Sequence, residues 1–146
     1  CDEDVLMAQV RELRDGGELP IVTFQHVEFD FYDVPVIQSA SFYKLAEAGA
    51  VIVSGSQAHI PQGFSFIGDA FIHFGLGNFL FDQTSDVERD SFLDRHIFYD
   101  GRYLGVVLET IRRGDDMRIS RLRGSERSAF LKTIYNFSIF KRTFKK

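Results

Sequence analysis

Val51-Ile52-Val53 is a short, continuous β-branched run. Its lack of polar alternation suits a strand buried on both faces. The rest of a βαβ unit lies upstream. Pro20 to Gln25 is a strand candidate, and Pro35 fits the first turn of a helix running to about Ala48 and closed by Gly49. Ile37, Ser41, Leu45 and Ala48 form its inward stripe. Strand, helix and buried strand require parallel strands joined by a right-handed crossover. Sites in open α/β sheets form at the carboxyl ends of such strands. Two polar clusters stand at ends of this kind: Gly55-Ser56-Gln57-Ala58-His59 after the buried strand, and Gly75-Leu76-Gly77-Asn78 after a later strand-like run.

The remaining pattern predicts hairpins. Phe64 to Ile67 and Ala70 to Phe74 flank Gly68-Asp69, and His96 to Tyr99 and Arg102 to Ile111 flank Asp100-Gly101. Met117 to Leu122 alternates and adds a third strand, while the polar stretch Thr84 to Asp94 reads as a rim loop. Asp2 caps a first helix through about Arg14, stopped by Gly16-Gly17. Ser125 caps a last helix with Phe130, Ile134 and Phe137 on one face. The expected fold is α/β, a βαβ unit followed by antiparallel hairpins, in a single unit.

Composition narrows the function classes. A net charge of −4 over 146 residues argues against nucleic-acid binding, which needs a basic surface. No run approaches the roughly 18 apolar residues of a membrane span, and no segment reads as a signal peptide. Lys141-Arg142-Thr143-Phe144-Lys145-Lys146 reads as a solvated basic tail or a contact with an anionic surface. Cys1 is the single cysteine, so a disulfide within the chain and a cysteine metal site are both excluded. It reads as the boundary of a truncated chain or as a lipidated terminus.

Histidine at a strand-end loop is a common transition-metal ligand, which singles out His59. Gln57 can offer a carbonyl oxygen to a hard cation. Glu28 can bind metal or act as a general base, and Gln25 ends the strand before it. Asn78 can bridge strand ends through its amide, with Asp82 and Gln83 behind it. His26 reads as a packing residue, His73 as a strand histidine on a polar face, and His96 as the start of a hairpin. No nucleophile has a supporting motif, and no phosphate-cradling Gly-x-x-x-x-Gly-Lys loop is present.

The Gly-x-x-x-His loop and the Gly-Leu-Gly-Asn-Phe-x-Phe-Asp run from Gly75 to Asp82 resemble the CapA/PgsA-type bacterial capsule and poly-γ-glutamate synthesis proteins, within the calcineurin-like metallophosphatase superfamily. Ile21 to Phe29 resembles the family's strand ending in a His-Trp-Gly-x-Glu-Tyr-like segment, and Gln38 with Lys44 to Ala50 resembles its intervening helix. The resemblance covers roughly residues 3 to 140. It departs at Ser56 and Gln57, which stand where the family carries histidines, and at Phe24, which stands where aligning Glu28 would place another. His26 is out of register. The family's early Gly-Asp, Asn-Leu-Glu and Asn-His segments have no counterpart before Ile21.

The resemblance therefore implies the C-terminal part of a metallophosphatase-like αββα sandwich, with the N-terminal half of the domain as its missing partner. It also implies a role in making or exporting an anionic surface polymer, an association with the cell envelope, and a polymer synthase or membrane-associated export machinery as further partner. A divalent metal (manganese, zinc or calcium) would be held by His59, Glu28, Gln25 and Gln57, with Glu28 and His59 as the catalytic pair and Asn78 and Asp82 supporting them. The complete protein would then be a metal-dependent hydrolase, and this chain alone inactive. The alternative is a non-catalytic module that binds polymer or partner after losing a metal site.

Overall fold

The computed structural model describes residues 2–82 and 85–140. Cys1, Gln83 and the basic tail at 141–146 lie outside the described residues.

Helix α1 (Glu3–Asp15) begins where Asp2 accepts hydrogen bonds from the backbone N–H groups of Asp4 and Val5, at 3.1 and 3.3 Å. Strand β1 (Ile21–Gln25), helix α2 (Val36–Glu47) and strand β2 (Ile52–Ser56) form the expected βαβ unit. β1 and β2 are parallel, with Ile21 opposite Ile52 and Gln25 opposite Ser56. Helix α2 buries Ser41, Leu45 and Ala48 of the expected stripe but not Ile37. Ile37 is exposed, and the buried face is carried by Gln38, Ser39, Ser41, Phe42, Tyr43, Leu45 and Ala46.

Strands β3 (Phe64–Ile67) and β4 (Ala70–His73) form the hairpin around Gly68-Asp69. β4 also pairs parallel with β2, giving the order β1-β2-β4-β3. The first hairpin is thus part of a mostly parallel sheet. Every residue of β4 is buried, so the strand needs a neighbour on each edge. A separate antiparallel sheet holds β5 (Asp90–Tyr99), β6 (Arg102–Arg113) and β7 (Ile119–Arg121). Residues Asp90 to Asp94 are strand rather than rim loop, because Ser91 and Phe92 pair with Ile111 and Thr110 and are buried. Helix α3 (Gly124–Phe137) starts from Arg123 with no side-chain cap, so Ser125 lies inside the helix.

The core has one cluster on each side of the β2–β4 pair. On the α1–α2 side Val10, Val22, Phe24, Phe42, Leu45, Val53, Ile72 and Phe74 pack together. On the other, Phe64, Phe71, Phe92, Leu122, Phe130 and Ile134 join the two sheets and α3. Each fully buried aromatic or aliphatic side chain contributes about 1.5–3 kcal/mol. His73 sits in this second layer, not on a polar face. Its side chain is 0% exposed, and its Nδ1 lies 2.6 Å from Asp94 Oδ2, itself 4% exposed. No described helix is long and apolar enough to cross a membrane.

Candidate functional site

β1, β2 and β4 run in one direction, so their carboxyl ends lie at one edge of the sheet. Gln25 ends β1 and Glu28 follows it, Gln57 and His59 follow β2, and Asn78 follows β4. The loops after β2 and β4 are pressed together by two glycines. A Cβ on Gly55 would lie 1.8 Å from Phe74 O, and one on Gly75 would lie 2.7 Å from Ala58 Cβ. Between these loops is a pocket of about 270 Å³ lined by Gly55 to His59 and Leu76 to Asn78. Gln57 holds φ at 89°, the left-handed region that non-glycine residues rarely adopt. Such strain persists where surrounding contacts fix a side chain in place.

Five side chains form one hydrogen-bonded row. The Gln25 amide Nε2 donates to Gln57 Oε1. Gln57 Nε2 donates to Glu28 Oε2 at 3.2 Å, and Glu28 Oε1 lies 3.2 Å from His59 Nε2. On the far side of the ring, His59 Nδ1 donates to Asn78 Oδ1 at 2.8 Å. With Nδ1 committed, Nε2 and Oε1 face each other, an approach that holds only with a proton or cation between them. The His59 side chain is 16% exposed and Glu28 47% exposed, so the carboxylate is the accessible end of the pair. Phe81 covers the imidazole, with ring centroids 5.1 Å apart.

The structure thus brings together Gln25, Glu28, Gln57, His59 and Asn78. Asp82 is exposed further along the same loop and is not part of the row, and Gln83 lies outside the described residues. His26 packs against Phe24, Phe29 and Phe42, and burial holds its pKa below the usual imidazole value. Gln62 supports the site from beneath, and its sequence context gave no sign of this. It accepts from Gln38 Nε2 at 2.7 Å and donates toward Phe31 O and Asp33 O, both at 3.4 Å.

A catalytic zinc takes three protein ligands. Among the described residues no group of three His, Cys, Asp or Glu side chains is placed to hold one. His59 and Glu28 supply two donors, while Gln57 aims its N–H at Glu28 and its carbonyl at Gln25. These residues do not by themselves fit a metal centre. A family profile described as bacterial capsule synthesis protein PGA_cap matches residues 1–83, a span that includes every residue of the row. Over 117 residues the chain is 30% identical to the capsule biosynthesis protein CapA of Bacillus anthracis, an alignment taking in 76% of this chain and 28% of that protein. The chain spans little more than a quarter of that curated relative's length. With over half of its residues inside the matching profile, the chain belongs to the PGA_cap family of bacterial capsule synthesis proteins.

Proposed function

We propose that this chain forms the C-terminal part of a CapA-type domain that acts in synthesis or export of an anionic surface polymer, capsule or poly-γ-glutamate. Its two sheets would belong to a metallophosphatase-like αββα sandwich, completed by polypeptide outside residues 2–140. One observation carries the functional reading: side chains from the ends of three parallel strands meet in a single row with Glu28 as common acceptor. Gln57 holds the carboxylate and is itself held by Gln25, and Asn78 holds the ring of His59. Glu28, open to solvent, can take a proton from a bound hydroxyl, amine or water, and His59 Nε2 stands beside it to share that proton. Further partners are a polymer synthase or membrane-associated export machinery at the cell envelope.

The chain alone would be inactive, because the described residues supply too few ligands for a closed cation site. A second reading, a non-catalytic module for polymer or partner, is favoured by the shortage of cation ligands. Manganese, zinc or calcium enters the account only with ligands from outside the described residues. The test combines metal titration with turnover of a γ-linked oligoglutamate, using this chain and the complete reading frame. The hydrolytic reading expects turnover by the complete protein, lost in His59→Ala and Glu28→Gln, and none by this chain. Turnover by the chain alone contradicts the incomplete site. Binding without turnover by the complete protein leaves the binding module.

A further inference from the structure

Charge is partitioned along this chain. Residues 15–88 carry ten acidic side chains and a single basic one, Lys44, whereas residues 89–140 carry ten basic and seven acidic. Lys44 itself is paired with Glu3 at 3.3 Å. The division falls at the start of β5, so the pocket-bearing sheet is acidic and the β5–β6–β7 sheet with α3 is basic. The loops flanking the pocket carry Glu28, Asp30, Asp33 and Asp82 and no lysine or arginine. A polycarboxylate is repelled there and needs a cationic surface elsewhere.

The exposed face of the second sheet has that character. In register, Arg95 stands beside Val107, Glu109 beside Leu93, and Arg121 beside Ile111. Arg95 and Arg121, with side chains 64% and 65% exposed, both turn to Glu109, at 3.8 and 2.8 Å. Two guanidiniums carry about ten N–H donors, against about four acceptor sites on one carboxylate. The surplus is positive and suited to bidentate carboxylate recognition. Leu93, Ile97 and Val107 are exposed beside the arginines and give an aliphatic floor. This face lies beyond the segment that the family profile matches.

We propose that the face of the β5–β6–β7 sheet centred on Arg95 and Arg121 binds a polycarboxylate chain. Its carboxylates meet the guanidinium forks and its methylene units lie on Leu93, Ile97 and Val107. The inference rests on the reading that the protein serves an anionic surface polymer. Single-stranded nucleic acid fits less well, since the exposed apolar side chains around Arg95 and Arg121 are aliphatic, and the exposed aromatics Phe98 and Tyr99 stand at the end of β5.

The test is fluorescence anisotropy of a labelled γ-linked glutamate decamer with the full chain. Arg95→Gln/Arg121→Gln should weaken binding at least about tenfold, and the Arg95→Glu/Arg121→Glu reversal more. Arg11→Gln on α1 should leave affinity unchanged, and added salt should weaken binding. The inference is overturned if both double variants bind like the parent, or if the decamer does not bind. It is also overturned if oligodeoxythymidylate or phosphatidylglycerol vesicles bind as tightly with the same sensitivity to the variants. The pocket is read separately, through turnover by His59→Ala, so either claim can fail without the other.

Discussion

Gln62 is the buried side chain through which the fold positions the site, and replacing it with methionine tests how. Its amide meets Gln38 on α2 at 2.7 Å and two carbonyls of the loop that carries Glu28, while its backbone N–H donates to Gly75 O at 2.8 Å. Methionine keeps the length and volume, so the change removes polar ends with little repacking. The short buried bond is worth about 1 kcal/mol net, and the two 3.4 Å contacts add little. Gln38 Nε2 keeps Phe74 O at 3.0 Å but loses a partner for its other hydrogen. A donor stranded in this way costs about 1–2 kcal/mol. The expected loss is therefore about 2–3 kcal/mol, or roughly 5–10 °C in Tm for a chain of this size. Urea and thermal unfolding followed by circular dichroism read it directly. Gln38→Met should cost at least as much, because it removes both the 2.7 Å bond to Gln62 and the 3.0 Å bond to Phe74 O. The double variant should recover about 1–2 kcal/mol relative to additivity, since both polar ends disappear together. A loss below about 0.5 kcal/mol in Gln62→Met, or strict additivity, would refute the reasoning.

Gln57→Gly should raise stability by up to about 1 kcal/mol by relieving the left-handed backbone, while lowering activity because Glu28 loses its holder; a drop in Tm contradicts the strain argument. Asp94→Ala strands His73 between the sheets and should cost about 3–5 kcal/mol, much of it restored in His73→Phe/Asp94→Leu, as read by urea midpoints. Burial lowers the His26 pKa, so the unfolded chain binds its proton first as pH falls. Stability should be full above about pH 6.5 and decline below it, and His26→Phe should flatten that decline; equal slopes for the two proteins between pH 5 and 7.5 would exclude His26 as the cause.

The βαβ unit was legible because its signals are local: a continuous β-branched run at Val51 to Val53 and a proline-to-glycine span over α2. Parallel strands then place Gln25, Glu28, Gln57, His59 and Asn78 at one edge, whatever their separation in sequence. The strand at Asp90 to Asp94 was not legible, because the inward Asp94 meets His73, 21 residues away, and a buried carboxylate whose partner is distant in sequence reads as part of a loop. Hydrophobicity alone points Ile37 inward, yet the buried positions beside it are Gln38 and Ser39, whose amide N–H groups and hydroxyl find acceptors in the interior. Ser125 gave a capping signal, but the helix starts a residue earlier at Gly124, whose φ is +51°. Gln62 escaped notice because its partners come from three separate segments.

The most direct test of the account is surface-polymer output from a capsule-forming strain in which the complete reading frame carries His59→Ala or Glu28→Gln. The account predicts a fall of at least about tenfold for each variant at unchanged protein level, the size expected when a positioned acid–base group is removed. Polymer output at the parent's level in both variants would contradict a working role for the pair.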